Sequence, residues 1–451
     1  MRSNSLRDTD IASVLHPYTN LKAHPTKGPL IITRGQGVRV FDEAGNAYIE
    51  GMSGLWCTSL GFDQPRLVEA ARRQMETLPF FHMFNHKSHD AGIRLAETLV
   101  AMAPVPMSKA FFANSGSEAN DTAIKLVWYA NNAWGRPNKK KIIARRKAYH
   151  GVTVASASLT GLVNNHRDFD LPIAGILHTD CPHWYGEAAA GESEEDFATR
   201  LADSLEALIL AEGPDTVAAF FAEPVMGAGG VIVPPATYFA KIQAVLKKYD
   251  VLLVADEVIC GFGRTGAMFG SQTFDLQPDM ITVAKALSSA YLPISGLLIN
   301  ERLYQALVTE SEKIGVFGHG FTYSAHPVAA AVALETLAIM EEQDILGHVR
   351  KVAPLLQEGL RALARHPLVG HARGVGLIGA VELVEDKASR KHFEPKRAVA
   401  ARVVEAAQNH GLILRAMVDD VIAFCPPLVI TPEDIGEMLY RFRLALDEVV
   451  P

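Results

Sequence analysis

A chain of 451 residues exceeds what one hydrophobic core usually sustains, and length alone suggests two or three domains. Its hydrophobic share of 49% and charged share of 21% are those of a packed globular protein, which excludes a disordered chain. A formal net charge of -7 without a long basic run argues against nucleic acid as a partner, and no stretch reaches the roughly 20 apolar residues that span a bilayer. Cys57, Cys181, Cys260 and Cys425 are scattered, with no CxxC pair, so a disulfide framework or zinc knuckle is not expected and a reducing compartment fits. The first ten residues lack the apolar core of a secretory signal. The expectation is a soluble, cytoplasmic protein.

In chain order, short strands are expected at 38–41 and 47–49, joined by Glu43-Ala44-Gly45-Asn46. Residues 1–60 are too few to stand alone, and are expected to complete a C-terminal domain or cross to a partner subunit. From 61 to 327 apolar runs alternate with helical patterns, the mark of an α/β sheet covered on both faces. Strands are expected at 110–113, 142–145, 217–222, 251–255, 280–284 and 296–299. Between them, Ala123, Leu126, Val127, Ala130 and Trp134 repeat at helical spacing over 117–134, and a second helix is expected over 235–249. Lys139 to Lys141 and Arg145 to Lys147 read as solvated strand ends, and 186–195 as a surface loop. Residues 328–451 form a different pattern: helices over 328–342 and 345–365, mixed strands around 374–383 and 421–424, and a last helix over 432–449. This is the pattern of a smaller α+β domain beside a large, mostly parallel sheet domain.

The apolar strand 251–255 ends in Asp256 and Glu257, and the strand 280–284 ends in Lys285. Both tips lie at the carboxyl edge of a parallel sheet, where open α/β sheets place ligands. A lysine at a buried strand end is costly unless paired or covalently used. A plain ion pair between Asp256 and Lys285 is one open reading. Upstream, Asn114-Ser115-Gly116-Ser117-Glu118-Ala119-Asn120 joins a strand to a helix, and its small residues let backbone N–H groups meet a phosphate. Ser117 is equally an ordinary N-cap. Tyr149-His150-Gly151 adds an aromatic face at the same edge. Phosphate cradle, aromatic face, acid and lysine are the parts a pyridoxal site needs.

With Ala222-Glu223-Pro224-Val225, Asp256-Glu257-Val258 and Ala284-Lys285-Ala286-Leu287, these motifs resemble, in order, those of the class III (ω-type) aminotransferases, which are fold-type I pyridoxal-phosphate enzymes. The resemblance runs from about residue 38 to 432. It implies that Lys285 holds the cofactor covalently and moves the proton, and that Asp256 keeps the pyridine nitrogen protonated. Val258 and Tyr149 would pack on the two ring faces, with Gly116 and Ser117 on the phosphate. Thr322, in Gly320-Phe321-Thr322-Tyr323-Ser324, resembles a threonine that reaches the neighbouring subunit's phosphate, which implies a homodimer or dimer of dimers with shared active sites.

The same resemblance speaks to substrate. Ala228 stands where ornithine and γ-aminobutyrate relatives usually carry a glutamate that neutralises a mobile arginine, and Arg415 resembles that arginine. Relatives with this combination are ω-amino acid:pyruvate and amine:pyruvate aminotransferases, working by a ping-pong mechanism through pyridoxamine phosphate. Trp56 matches a pocket-wall aromatic of that group. A surface ion pair for Arg415 and a core position for Trp56 stay open, as does a structural role for Glu223.

The rival of a different class is a nicotinamide-dependent oxidoreductase, because two GxGxxG strings occur. Gly261 to Gly266 is separated from its strand by Asp256 and Glu257 and leads into no helical pattern, and Gly374 to Gly379 runs into a strand. Both fail the context the fingerprint requires. Gly263-Arg264-Thr265-Gly266 is expected as a tight loop. His82, His86 and His89 have helical ligand spacing but no carboxylate helper, so loop or interface histidines and no metal are expected. Another class III enzyme of the same fold stays open: a polyamine, taurine, γ-aminobutyrate or ornithine aminotransferase, an aminomutase or a decarboxylase.

Overall fold

The structure, a computed structural model, describes residues 5–449. Seven strands form one sheet in the spatial order Lys109–Ala113, Ser295–Ile299, Met280–Val283, Leu252–Asp256, Val217–Ala222, Lys141–Arg145 and Ile176–Thr179. Ser295–Ile299 runs antiparallel to both neighbours, and the other pairings are parallel. Every residue of Val217–Ala222 and Leu252–Asp256 is buried, which is why these strands read as unbroken apolar runs. Alternate side chains enter opposite cores. Phe220 packs with Leu201 and Leu253 on one face, and Phe221 with Val127 and Val254 on the other.

Several expectations shift. Ile176–Thr179 was not expected as a strand; it is a four-residue edge strand with two half-exposed positions, so it lacks a sustained apolar run. The helix expected over 235–249 is Tyr238–Lys248, because the Pro235 carbonyl is used in a turn by the Tyr238 amide at 3.0 Å. Lys139 and Arg145 are not solvated strand ends but 4% and 0% exposed. Lys139 Nζ donates to the Tyr249 carbonyl at 2.8 Å, and Arg145 Nη2 to the Glu223 carbonyl at 2.5 Å. Backbone oxygens at the ends of neighbouring elements thus replace water.

A second, antiparallel sheet has the order Val369–Val375, Ile378–Leu383, Val421–Phe424, Arg415–Ala416, with Ile345–Leu363 and Pro432–Glu448 packed alongside. A third contains Ile32–Gln36, Arg39–Asp42 and Ala47–Glu50, and is completed by Leu412–Ile413, which runs parallel to Ala47–Glu50. The early strands therefore share a sheet with the C-terminal part of the chain. No helix among the described residues is long and apolar enough to cross a membrane.

Candidate active site

The parallel strands all present their carboxyl ends to one edge, and a cavity of about 360 Å³ opens there, lined among others by Gly116, Ser117, Tyr149, Asp256, Val258 and Lys285. Six of the residues singled out from sequence therefore meet in one place.

Asp256 ends its strand at 3% exposure. Its Oδ2 accepts from His150 Nδ1 and Asn120 Nδ2, both at 2.8 Å, and its Oδ1 from the Val258 amide at 3.1 Å. Burial alone would push this carboxyl pKa up, but the bonds and charges from His150, Asn120 and Lys285 hold it below the ordinary value. Asp256 is thus an anion in a nearly dry place. Across the cavity Lys285 follows Met280–Val283 in a left-handed backbone conformation, φ 49°, and opens a short 3-10 turn. Burial lowers its pKa, against the pull of Asp256. Among the described residues its amine has no hydrogen-bond partner, so it is not locked into an ion pair.

The helix Gly116–Ala133 begins at the cavity wall. Its N-cap is Ser115, whose hydroxyl accepts from the Glu118 amide; the capping role open for Ser117 falls to its neighbour. Ser117 instead sits in the first turn, its Oγ accepting from the Val152 amide at 3.1 Å. A Cβ on Gly116 would stand 3.1 Å from both γ-methyls of Val258, so glycine lets the helix start close over that side chain.

Glu223 is a clasp. Its carboxylate accepts from the amides of Tyr149 and Gly227, each at 3.0 Å, fixing Tyr149 against the loop that carries Ala228. Burial raises its pKa. The Tyr149 hydroxyl is pushed up by burial and by Tyr18, which hydrogen-bonds it, while Arg415 pulls the other way. Tyr18, His150 and Asn120 were given no role by sequence.

Other candidates lie apart. Trp56 is 3% exposed in a cluster with Met52, Val225 and Ile259; it does not line the cavity, although Ile259 does. Thr322 is exposed and outside the chain's own cavity. His89 caps the helix Asp90–Met102 through Nδ1, and with His82 and His86 forms no common cluster among the described residues. In the glycine-rich loop Arg264 Nη1 donates to the carbonyls of Leu377 and Pro426 at 2.9 and 2.6 Å, a tie between segments.

Residues 21–446 match the family Aminotransferase class-III. The chain belongs to the class-III aminotransferases. The chain is 52% identical over 436 residues to γ-aminobutyrate transaminase 1, mitochondrial, of Solanum lycopersicum, covering 96% of this chain and 84% of that one. It is 57% identical to the ω-transaminase from Pseudomonas jessenii in complex with PMP, with a TM-score of 0.97 and 98% of both chains covered. A transaminase solved with L-Ala is 61% identical, with a TM-score of 0.92, covering 93% of this chain and 99% of that one. The class-III aminotransferase is a pyridoxal-phosphate enzyme acting on an amine and a keto acid. Its cavity fits that cofactor: a free amine, an opposing buried carboxylate, a helix N-terminus and a glycine pressed on Val258 surround a space of the right order.

Proposed function

We propose that this aminotransferase moves an amino group from an ω-amino acid or an amine to pyruvate or a similar keto acid. Lys285 holds the cofactor and carries the proton; Asp256 keeps its ring nitrogen protonated. Gly116, Ser117 and the helix N-terminus take the phosphate, and Val258 and Tyr149 hold the ring. When bound, pyridoxal phosphate supplies the electron sink for the charge left beside the amine nitrogen. The lowered pKa of Lys285 favours a neutral amine, the form that accepts a proton from carbon.

The observation that carries the substrate reading is Arg415. It stands close enough to Tyr149 to act on that hydroxyl, and it has no ion pair among the described residues. A free guanidinium beside the cavity suits the carboxylate of a keto acid, and Ala228 offers no charge to neutralise it. The relative solved with L-Ala, the aminated form of pyruvate, supports the same acceptor. γ-Aminobutyrate, named for the plant relatives, is the donor of the alternative reading, a γ-aminobutyrate aminotransferase, against which Ala228 speaks. Thr322, exposed on the outside of its own cavity, is assigned to the neighbouring subunit's phosphate, so the working form is a homodimer or dimer of dimers. The cytoplasm is the proposed compartment, in keeping with four unpaired cysteines.

A donor panel tests this with pyruvate as acceptor: γ-aminobutyrate, β-alanine, a diamine and an arylalkylamine. The yellow protein should bleach with a good donor and recover its colour with pyruvate. Carbon dioxide release independent of keto acid would assign a decarboxylase instead.

A further inference from the structure

Away from the cavity, the N-terminal segment folds back on itself. Arg7 Nη2, on the helix Leu6–Ser13, donates to the carbonyls of Thr26 and Lys27 at 3.1 Å each, closing the segment onto the short helix His24–Lys27. Within this fold Asp10 Oδ2 lies 2.7 Å from His16 Nε2 and 3.2 Å from His24 Nε2. The two imidazole centroids are 4.2 Å apart, tilted by 39°, and both rings turn Nε2 toward that one oxygen. The three side chains are 22%, 26% and 11% exposed, shielded but reachable by water.

We propose that Asp10, His16 and His24 form a binding site for a divalent cation of the zinc class, with water completing its shell. Imidazole nitrogen and carboxylate oxygen are the donors such an ion takes, at about 2.0–2.2 Å, which puts tetrahedral ligand atoms about 3.3 Å apart. The Asp10–His24 separation already has this value. The Asp10–His16 separation must open by about 0.6 Å when an ion replaces the bridging proton, a small side-chain rotation. Among the described residues Asp10 forms ion pairs with these two histidines and with no lysine or arginine. The contrast is the trio of half-buried His371 with buried His183 and Glu382, where Arg373 Nη1 already sits 2.5 Å from Glu382 Oε2 and supplies the positive charge.

The site has a consequence for the cavity. The loop between the two histidines carries Tyr18, whose hydroxyl accepts from Asn165 Nδ2 at 2.7 Å and hydrogen-bonds Tyr149. An ion held by three residues of the segment closes that loop and restricts Tyr18 where it meets the cavity wall.

Cobalt(II) alone, titrated into the holoenzyme, tests the proposal by calorimetry and by the visible absorption of a low-symmetry site. One ion per chain is expected, with affinity weakened at least about tenfold in His16→Ala and in His24→Gln. Proteolysis within residues 5–28 should slow with the ion in the wild type and not in the double variant His16→Ala/His24→Gln. Circular dichroism and cofactor absorbance check that each variant is folded. Equal binding by wild type and double variant places the ion elsewhere and overturns the proposal. So does no binding at all, which leaves a hydrogen-bonded clip only.

Discussion

His150 donates its Nδ1–H to Asp256 Oδ2 across 2.8 Å, and the carboxylate it meets is 3% exposed. Asn120 takes the same oxygen, so the anionic state of Asp256 belongs to its neighbours as much as to itself. His150→Leu should remove about 1.5–3 kcal/mol of charge-assisted hydrogen bonding. Because the carboxyl pKa is held low in the fold, its stabilising contribution is present above the unfolded value and lost as pH falls through the folded one. The variant should therefore lose stability at a higher pH on the acid side, and release cofactor faster on dialysis. Cofactor retention and turnover equal to wild type would show that His150 does not position Asp256.

Lys285→Ala should keep its fold, since the side chain makes no hydrogen bond among the described residues. Transamination should fall by at least about 10²–10⁴, the range of a positioned proton carrier. Single-turnover bleaching by an amine donor, with circular dichroism as the folding control, measures both. Wild-type turnover in this variant would remove the proton-carrying role.

Gly116→Ala places a methyl 3.1 Å from both γ-methyls of Val258, a contact that Val258 must yield to. Weaker cofactor binding and a lower melting temperature are expected, by about 1–3 kcal/mol for overpacking. The double variant Gly116→Ala/Val258→Ala should recover part of the loss, because the clash has only those two parties. A fully additive double-mutant cycle would place the cost elsewhere.

The sheet was legible where both its faces are buried. Val217–Ala222 is wholly apolar and Leu252–Asp256 is apolar until its last residue, so a charge at a buried strand's tip stands out; Asp256 was found that way, and so was Lys285 after Met280–Val283. The edge strand Ile176–Thr179 was silent because half of it faces water. His150 and Asn120 sit inside recognisable motifs, yet their partner is 106 and 136 residues away, and spacing says nothing about such a meeting. Tyr18 lies in an N-terminal loop without apolar period. Asp10, His16 and His24 are separated by 6 and 14 residues counted from Asp10, across a turn and not along a helix face. Arg145 looked solvated because a charged residue after an apolar run is normally at the surface; the Glu223 carbonyl was the missing fact.

Arg415→Ala tests the acceptor side. Losing a charge-assisted bond to a carboxylate costs about 1.5–3 kcal/mol, or roughly 10- to 100-fold in kcat/KM for pyruvate. The first half-reaction with an uncharged arylalkylamine should be nearly unchanged, since that donor has no carboxylate to present. Stopped-flow bleaching by the amine and recovery with pyruvate separate the two. Equal losses in both halves would assign Arg415 a structural place.

Glu257, next to Asp256, is buried and accepts from the Ser271 amide, the Ser271 hydroxyl and the Gly270 amide at 2.5, 2.6 and 2.9 Å. Burial outweighs these donors and pushes its pKa from 4.5 up to about 7. The folded chain then keeps a proton that the unfolded chain has already released. Between about pH 4.5 and about 7 the native state binds more protons, so this group makes stability fall as pH rises. Glu257→Gln removes the titration, and urea midpoints should change less between about pH 5 and about pH 7 than in the wild type. Glu50, also raised by burial to about 7, stays as a common background in both proteins. The variant should be less stable overall, because an amide nitrogen now faces one of three donors, at a cost of about 1–3 kcal/mol. An unchanged pH slope would mean that Glu257 is already ionised in the native state, held so by Ser271 and Gly270.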